Sequence, residues 1–221
     1  MSKQDSLFLG VDVGGTHLKI GLVDREGNMI DFQKEDTTPY RDHPDGFGKC
    51  FIDGLEKYLL KYPEVEKVGI GLPGMISKDR TTPLEIPAIP DLNGFALKSS
   101  LLKKYPNHQF YMENDAAAAA IGEFYYGKGE VAENFLFITM GTGIGSALIL
   151  DGQVFKGSRG NALEMGHMLS RGNAGLETLV GRVGILRIME NLISAYPEKA
   201  GELVGKELGT HLLVDTAKTG N

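Results

Sequence analysis

The chain has 221 residues, 30 of them glycine, and a formal net charge of −6. This acidic balance disfavours a general nucleic-acid or membrane surface, and no run of 18 apolar residues predicts a membrane span. Cys50 is the only cysteine, which excludes an internal disulfide and a cysteine-based metal cluster. Because a polar start leads into an apolar run without the features of a signal peptide, we expect a soluble, cytoplasmic protein.

The predicted elements follow an order typical of an α/β protein. Apolar runs bounded by glycine or turn residues predict strands at 7–13, 17–24, 28–34, 65–72 and 109–113, and again from 134 to about 155. Helical spacing of apolar residues predicts helices at 44–62, 95–105 and 176–195, and a further alanine-rich helix begins at Asp115. The proline-rich segment 77–94 is predicted to be a long irregular loop over a cleft.

The turn after the first strand is a candidate phosphate site. Gly14 and Gly15 are expected to supply the positive φ of a tight hairpin. A turn without side chains exposes its N–H groups to phosphate oxygens, and Thr16 adds a hydroxyl. Asp12, at the end of the strand, is a candidate ligand of a magnesium ion through water. The alternative is an ordinary hairpin with a polar turn.

The stretch 135–152 repeats this plan around the turn Gly141-Thr142-Gly143. Gly14 aligns with the first of these glycines, and Asp24 aligns with Asp151 without a gap. Such self-similarity predicts duplicated lobes, here 1–128 and 129–221, whose two hairpins face one nucleotide. A dinucleotide fingerprint is excluded because a strand, and not a helix, is predicted after the second turn.

Two further groups of polar residues are candidates for chemistry. Asn114 and Asp115 stand at a strand end and a helix start, where they either cap the helix or bind substrate, Asp115 accepting a hydroxyl proton and Asn114 holding a neighbouring hydroxyl. Glu164 and His167 lie three apart in a glycine-marked segment and are suited to vicinal hydroxyls. The alternative is a loop with a solvated glutamate and a histidine that satisfies a carbonyl.

Taken together, the segments 12–16, 113–116, 141–145 and 164–168 resemble, in order and spacing, the ROK family (repressors, open reading frames and sugar kinases) of the actin-like ATPase superfamily. The resemblance extends from Leu7 to about 195. It implies an α/β fold of the actin-like ATPase (ribonuclease H-like) type, with duplicated lobes and mixed sheets. It also implies ATP and Mg²⁺ as cofactors, with the phosphates held by the two glycine hairpins. The residues concerned are Asp12, Gly14, Gly15, Thr16, Gly141, Thr142 and Gly143.

The same resemblance implies a sugar site in which Asp115 is the general base. Gly74 is implied to line this site, and Glu177 is implied as a further sugar ligand. The residues implied to hold the sugar are Asn114, Asp115, Glu164 and His167.

The sequence also departs from the family pattern. Leu163 stands where the family usually has a glycine, and Ala117 stands where it has a second asparagine. The family's cysteine zinc loop is missing, since 169–175 contains no cysteine. A structural zinc site needs four ligands, so we expect no zinc.

The predicted activity is that of an ATP-dependent sugar kinase that phosphorylates a hexose or related sugar at its 6-hydroxyl. The alternatives are a non-catalytic, sugar-binding regulator of the same family and an actin-like ATPase without a sugar substrate. Expected partners are the sugar, ATP and a second copy in a homodimer, but neither nucleic acid nor membrane. After 195 only one short apolar run, 211–215, is present, so we expect an incomplete second lobe and, for residues 1–221 alone, poor ATP binding and no kinase activity.

Overall fold

The computed structural model describes residues 6–127 and 132–218, which form two compact units. The first contains the described residues up to Phe137 together with Ala147–Ala162. The second contains Ile138–Ser146 and the described residues from Leu163 onward. The division into two lobes at 1–128 and 129–221 remains a prediction from the sequence. Among the helices of the described residues, none has both the length and the apolar character that a membrane span requires.

The elements alternate between strands and helices. The strands are β1 (Phe8–Val13), β2 (His17–Val23), β3 (Met29–Asp36), β4 (Lys67–Leu72), β5 (Met75–Ile76), β6 (Pro83–Glu85), β7 (Gln109–Asn114), β8 (Phe135–Met140), β9 (Ile144–Leu150) and β10 (Gln153–Val154). The α-helices are α1 (Thr38–Arg41), α2 (Phe47–Lys61), α3 (Leu97–Lys104), α4 (Asp115–Tyr126), α5 (Leu176–Val180), α6 (Arg182–Ala195) and α7 (Thr210–Lys218).

The larger sheet is mixed and has the strand order β3-β2-β1-β4-β7. Consecutive strands joined by short turns are antiparallel, as in β1–β2 and β2–β3, whereas β4 is parallel to β1 and β7 is parallel to β4. The carboxyl ends of β1, β4 and β7 therefore lie at one edge of the sheet. The register pairs Asp12 with Gly71 and Leu72 with Asn114, so the first glycine turn and the start of α4 share this edge.

Apolar residues at alternate strand positions build the core of the first unit. Leu9, Val11 and Val13 of β1 are each 3% exposed or less and face helices α2 and α3. The two helices meet this face with side chains at helical spacing, among them Phe47, Phe51, Leu55, Leu59, Leu97 and Leu101.

The smaller sheet has the order β10-β9-β8. Ala117 and Ala120 of α4 pack against Ala147 and Ile149 of β9, and their short side chains allow the helix to approach the sheet closely. The second hairpin repeats the first in length, because β1 and β8 have six residues each and β2 and β9 seven each. The α/β fold class with a mixed sheet is thus confirmed.

Two details of the predicted elements are wrong, those of 176–195 and 77–94. The helix expected at 176–195 is divided into α5 and α6 at Gly181, where a Cβ atom would lie 2.5 Å from the carbonyl oxygen of Glu177. The segment expected to be irregular at 77–94 contains β6, which pairs with β5, and a 3-10 turn at Pro90–Leu92. The apolar run 211–215 belongs to helix α7.

Candidate active site

The predicted site residues occur in both compact units, and each group is described by itself. In the first unit, the turn between β1 and β2 is closed by the N–H of Gly14, which donates to the His17 carbonyl over 3.0 Å. The buried Thr37 supports the turn because its hydroxyl donates to the Gly14 carbonyl over 2.8 Å and its N–H donates to the Thr16 carbonyl over 2.9 Å. Within the described part of the chain, the N–H groups of Gly15 and Thr16 have no protein acceptor and can bind an anion.

The expected reason for the two glycines is wrong, since neither Gly14 nor Gly15 has a positive φ. The structure requires glycine here for space. A Cβ atom on Gly14 would lie 2.8 Å from the His17 carbonyl oxygen, and one on Gly15 would lie 2.7 Å from the Cβ of Ala88. The need for glycine at position 15 is therefore imposed by Ala88, which is distant in sequence and lies in the loop before α3.

Asp12 and Asp115 lie at the same sheet edge and influence each other electrostatically. Asp12 forms a half-exposed ion pair with Lys19, with 2.8 Å between Oδ2 and Nζ. Asp115 keeps contact with solvent, yet surrounding protein displaces water from its carboxyl, and this loss of hydration raises its pKa above the usual range. The Asp12 carboxylate adds to the rise, while the N–H of Ala116, 2.7 Å from Oδ1, opposes it. A carboxylate with a raised pKa is a better base.

Asn114 is the N-cap of α4, as its position predicts. Its Oδ1 accepts the N–H of Ala117 over 3.1 Å, and its Nδ2 donates to the carbonyl of Gly74 over 3.1 Å. Gly74 has φ +89, and a Cβ atom there would lie 2.2 Å from the Glu85 carbonyl oxygen. Asn114 thus joins the helix start to the loop after β4, which brings two predicted sugar-site residues into direct contact.

Sequence reasoning missed a cluster of charges next to Asn114, in which Glu113 and Arg80 are largely buried and Lys156 is partly exposed. Glu113 is 13% exposed in its side chain, and its carboxylate lies 2.9 Å from Arg80 Nε and 2.9 Å from Lys156 Nζ. The Arg80 Nε–H direction does not suit a hydrogen bond, so this nitrogen is buried with an ion-pair partner only. Arg80 Nη2 also donates to the Gly160 carbonyl over 2.7 Å. A glutamate at the end of a buried strand was a signal for such a cluster, but the partners are distant in sequence.

In the second unit, Glu177 lies against the second glycine turn. The N–H of Gly141 donates to the Gly143 carbonyl over 2.9 Å, and Glu177 Oε2 accepts the N–H of Ile144 over 2.9 Å. Gly143, which also lacks a positive φ, leaves room for this carboxylate, because a Cβ atom would lie 2.0 Å from Oε2. Glu177 therefore supports the turn directly. For the described residues, the N–H groups of Thr142 and Gly143 have no protein acceptor.

Glu164 and His167 border a 3-10 turn, Met165–His167, and both are exposed. The His167 N–H donates to the Glu164 carbonyl over 3.1 Å, which fixes the spacing of the two side chains along the turn. The buried Ser146 holds the turn from below, because its hydroxyl donates to the Leu163 carbonyl and accepts the Met165 N–H. Leu163 has φ +69, a left-handed conformation that favours glycine.

The loop at 169–175 is closed by backbone hydrogen bonds. Leu169 forms a β-bridge with Gly175, and the N–H of Ser170 donates to the Ala174 carbonyl over 2.9 Å. The N–H of Leu176 donates to the Met168 carbonyl over 2.9 Å. These bonds connect the segment that carries His167 to the helix that carries Glu177.

Comparison with known proteins agrees with this fold and these segments. The ROK family model matches residues 8–206. A glucokinase from Streptomyces coelicolor is 31% identical over 213 residues, which is 92% of this chain and 65% of the glucokinase. A xylose repressor from Caldicellulosiruptor bescii is 28% identical over 206 residues, 87% of this chain and 51% of the repressor.

Among solved structures, a ROK family glucokinase from Streptomyces griseus, in complex with glucose and AMPPNP, superimposes with a TM-score of 0.72 at 31% identity. The alignment covers 90% of this chain and 65% of that one. The predicted fold class is confirmed at this level too. The chain thus spans less than two thirds of the length of these relatives.

Proposed function

Because the chain belongs to the ROK family, we propose that it forms part of an ATP-dependent sugar kinase that phosphorylates a hexose or a related sugar at the 6-hydroxyl. The observation that carries this proposal is the placement of Asp115. Its carboxyl has a raised pKa and stands at the sheet edge where the first glycine turn presents two N–H donors.

In the proposed reaction, Asp115 accepts the proton of the sugar hydroxyl as its oxygen attacks the γ-phosphorus of ATP, and ADP leaves. Phosphoryl transfer depends mainly on positioning and on charge stabilisation. The N–H groups of Gly15 and Thr16, with those of Thr142 and Gly143, are the proposed phosphate donors. Loss of hydration is the main cause that raises the pKa of Asp115 and so strengthens the base.

A magnesium ion fits the first turn as a partner of bound phosphates. Mg²⁺ usually keeps several waters and takes one or two carboxylates beside the phosphates of a nucleotide. The half-exposed Asp12, which pairs with Lys19, would be the residue to hold the ion there. A bound Mg²⁺ supplies neutralisation of the charge that develops on the transferred phosphoryl group.

For the sugar, Glu164 and His167 are the proposed hydroxyl ligands, since both side chains are exposed and their spacing is fixed by the 3-10 turn. Asn114 uses its oxygen to cap α4, so we propose that it offers the sugar its second amide N–H. Glu177 is proposed to act through the second glycine turn and to reach the sugar with Oε1. We further propose that the protein works in the cytoplasm as a homodimer.

The test is the substitution Asp115→Asn in the full-length protein. We expect kcat to fall by about 10²–10⁴-fold, the usual contribution of a general base, while the KM for the sugar changes far less. Asn114→Ala separates the two roles, because it leaves the Asp115 carboxylate but removes a proposed sugar ligand, so we expect its main effect on the KM for the sugar. Near-normal turnover of Asp115→Asn at saturating sugar would exclude Asp115 from the proposed role.

A non-catalytic, sugar-binding regulator is the second candidate, favoured by the similarity to a xylose repressor. The two functions differ in one observable. A regulator binds its sugar with no ATP turnover, whereas the kinase produces ADP in proportion to the sugar consumed. ATP turnover without sugar would instead support an actin-like ATPase.

A further inference from the structure

The charged cluster of Arg80, Glu113 and Lys156, of which Lys156 is partly exposed, connects three segments of the first unit at the proposed catalytic edge. Glu113 ends β7 directly before Asn114 and Asp115, and its Oε1 also accepts the N–H of Asn114 over 3.0 Å. Its other oxygen binds Lys156, which follows β10. One carboxylate therefore fixes the backbone that carries the base and holds the segment that begins at Lys156.

Arg80 also contacts both Glu113 and the segment that begins at Lys156. Its guanidinium approaches Glu113 with Nε and the Gly160 carbonyl with Nη2. The neighbouring Ile76 N–H donates to Asn161 Oδ1 over 3.0 Å, a second tie between the loop of Arg80 and the segment 156–161. Four residues beyond Gly160 along the chain is Glu164, a proposed sugar ligand.

The backbone of Arg80 is strained, with φ +58. Arg80 takes this left-handed conformation in the turn between β5 and β6, which is closed by the Ser77 N–H to the Thr82 carbonyl and by the Arg80 N–H to the Ser77 carbonyl, each over 2.8 Å. The Arg80 side chain is 12% exposed and adds its own contacts with Glu113 and Gly160. Gly160 leaves the space for this arrangement, because a Cβ atom there would lie 2.9 Å from the Cα of Lys78.

We propose that Arg80 is a positioning residue for the proposed kinase reaction, acting through Glu113 on Asn114 and Asp115 and through the Gly160 carbonyl on the segment 156–161. The effect on catalysis rests on the proposed function, whereas the role of Arg80 in holding the segment 156–161 does not. Arg80 touches neither substrate in this scheme. It sets the geometry from which the base Asp115 acts and holds the segment 156–161, and small displacements of a catalytic group reduce rates strongly.

Two substitutions separate the guanidinium from the strain. Arg80→Gly removes the side chain and relieves the left-handed backbone, whereas Arg80→Ala removes the side chain and keeps the strain. If the guanidinium holds the segment 156–161, the amides of that segment should lose their protection against hydrogen exchange equally in both variants. The unfolding midpoints of the two variants should still differ. Arg80→Lys retains the positive charge without the planar guanidinium and is expected to restore the protection against exchange in part. Lys49→Ala, which breaks an exposed ion pair with Asp45, is the control for loss of a positive charge.

The measurement is hydrogen–deuterium exchange of the full-length protein, read in peptides that cover 74–82 and 156–163. We expect both peptides to exchange at least about 10-fold faster in Arg80→Gly and Arg80→Ala, the scale of a lost hydrogen bond to a charged group. Exchange at the wild-type rate in Arg80→Gly would overturn the proposal. An equal acceleration over the whole first unit would overturn it as well, because that result indicates a general loss of stability.

The catalytic readout is kcat/KM for the sugar, which we expect to fall by about 10–100-fold in Arg80→Gly and to recover in part in Arg80→Lys. An unchanged kcat/KM beside faster local exchange would overturn the catalytic part of the proposal. The exchange measurement needs no turnover. If the wild-type protein proves to have no sugar kinase activity, the proposed function fails while the positioning role is still decided by exchange.

Discussion

Gly74 offers a quantitative test of how closely the loop after β4 approaches its surroundings. Alanine at this position would have to adopt φ +89 and place its Cβ atom 2.2 Å from the backbone oxygen of Glu85. A backbone atom cannot move aside as a flexible side chain can. The Gly74 carbonyl, which accepts Asn114 Nδ2, must then shift with the loop.

Three contributions give the magnitude of Gly74→Ala. A left-handed conformation costs an L-residue roughly 1–2 kcal/mol, and overpacking typically costs about 1–3 kcal/mol. Loss of the hydrogen bond to Asn114 adds about 1 kcal/mol, while the smaller entropy of the unfolded alanine chain returns roughly 0.4–1 kcal/mol. We expect the free energy of unfolding to fall by about 2–6 kcal/mol.

The matched control is Gly94→Ala in the same loop region. Gly94 has φ +75, but a Cβ atom there meets nothing within 4 Å, so this variant tests the conformation without the collision. It is expected to lose only about 1 kcal/mol. Chemical denaturation followed by circular dichroism measures both variants. Equal losses would refute the reasoning, since they would mean that the contact with Glu85 carries no energetic weight.

Three further predictions follow from other parts of the molecule. Thr37→Val leaves the Gly14 carbonyl without its buried donor, so the free energy of unfolding should fall by about 1–3 kcal/mol and ATP should bind more weakly, as measured by denaturation and calorimetry; an unchanged ATP affinity would show that Thr37 does not shape the turn. For Glu35, burial acts to raise the pKa, but hydrogen bonds from Lys57, Tyr40 and Tyr58 outweigh it and hold the pKa below its usual value. Because the folded-state pKa is depressed, this stabilisation is present above pH 4.5 and is lost as the pH falls through the folded value. The loss of unfolding free energy caused by Tyr58→Phe should therefore become smaller in acid. A loss that does not depend on pH would contradict this prediction. Elemental analysis should find no stoichiometric zinc, since 169–175 has no cysteine and is closed by backbone bonds; one tightly bound zinc per chain would refute this.

The hairpins and the capped start of α4 could be predicted because their causes are local. Alternating apolar residues around the glycine turns define β1, β2, β8 and β9, and the repeat made the second hairpin as visible as the first. Asn114 caps α4 through a residue only three positions away. Such patterns require no knowledge of the rest of the chain.

What the sequence did not reveal depends on long-range neighbours. Gly15 and Gly143 are needed because Ala88 and Glu177 approach them, and neither contact is visible in the local pattern. The same holds for Arg80, whose guanidinium contacts partners 33 and 80 positions away. A loop residue gives no periodic signal from which such a role could be read.

The central claim is most directly tested by incubating the full-length protein with ATP, Mg²⁺ and a panel of hexoses, and identifying the phosphorylated product by ³¹P nuclear magnetic resonance. We expect a sugar 6-phosphate that accumulates with ADP and disappears when Asp115 is replaced by asparagine. Sugar binding without any phosphorylated product, or ADP formed at the same rate with and without sugar, would contradict it.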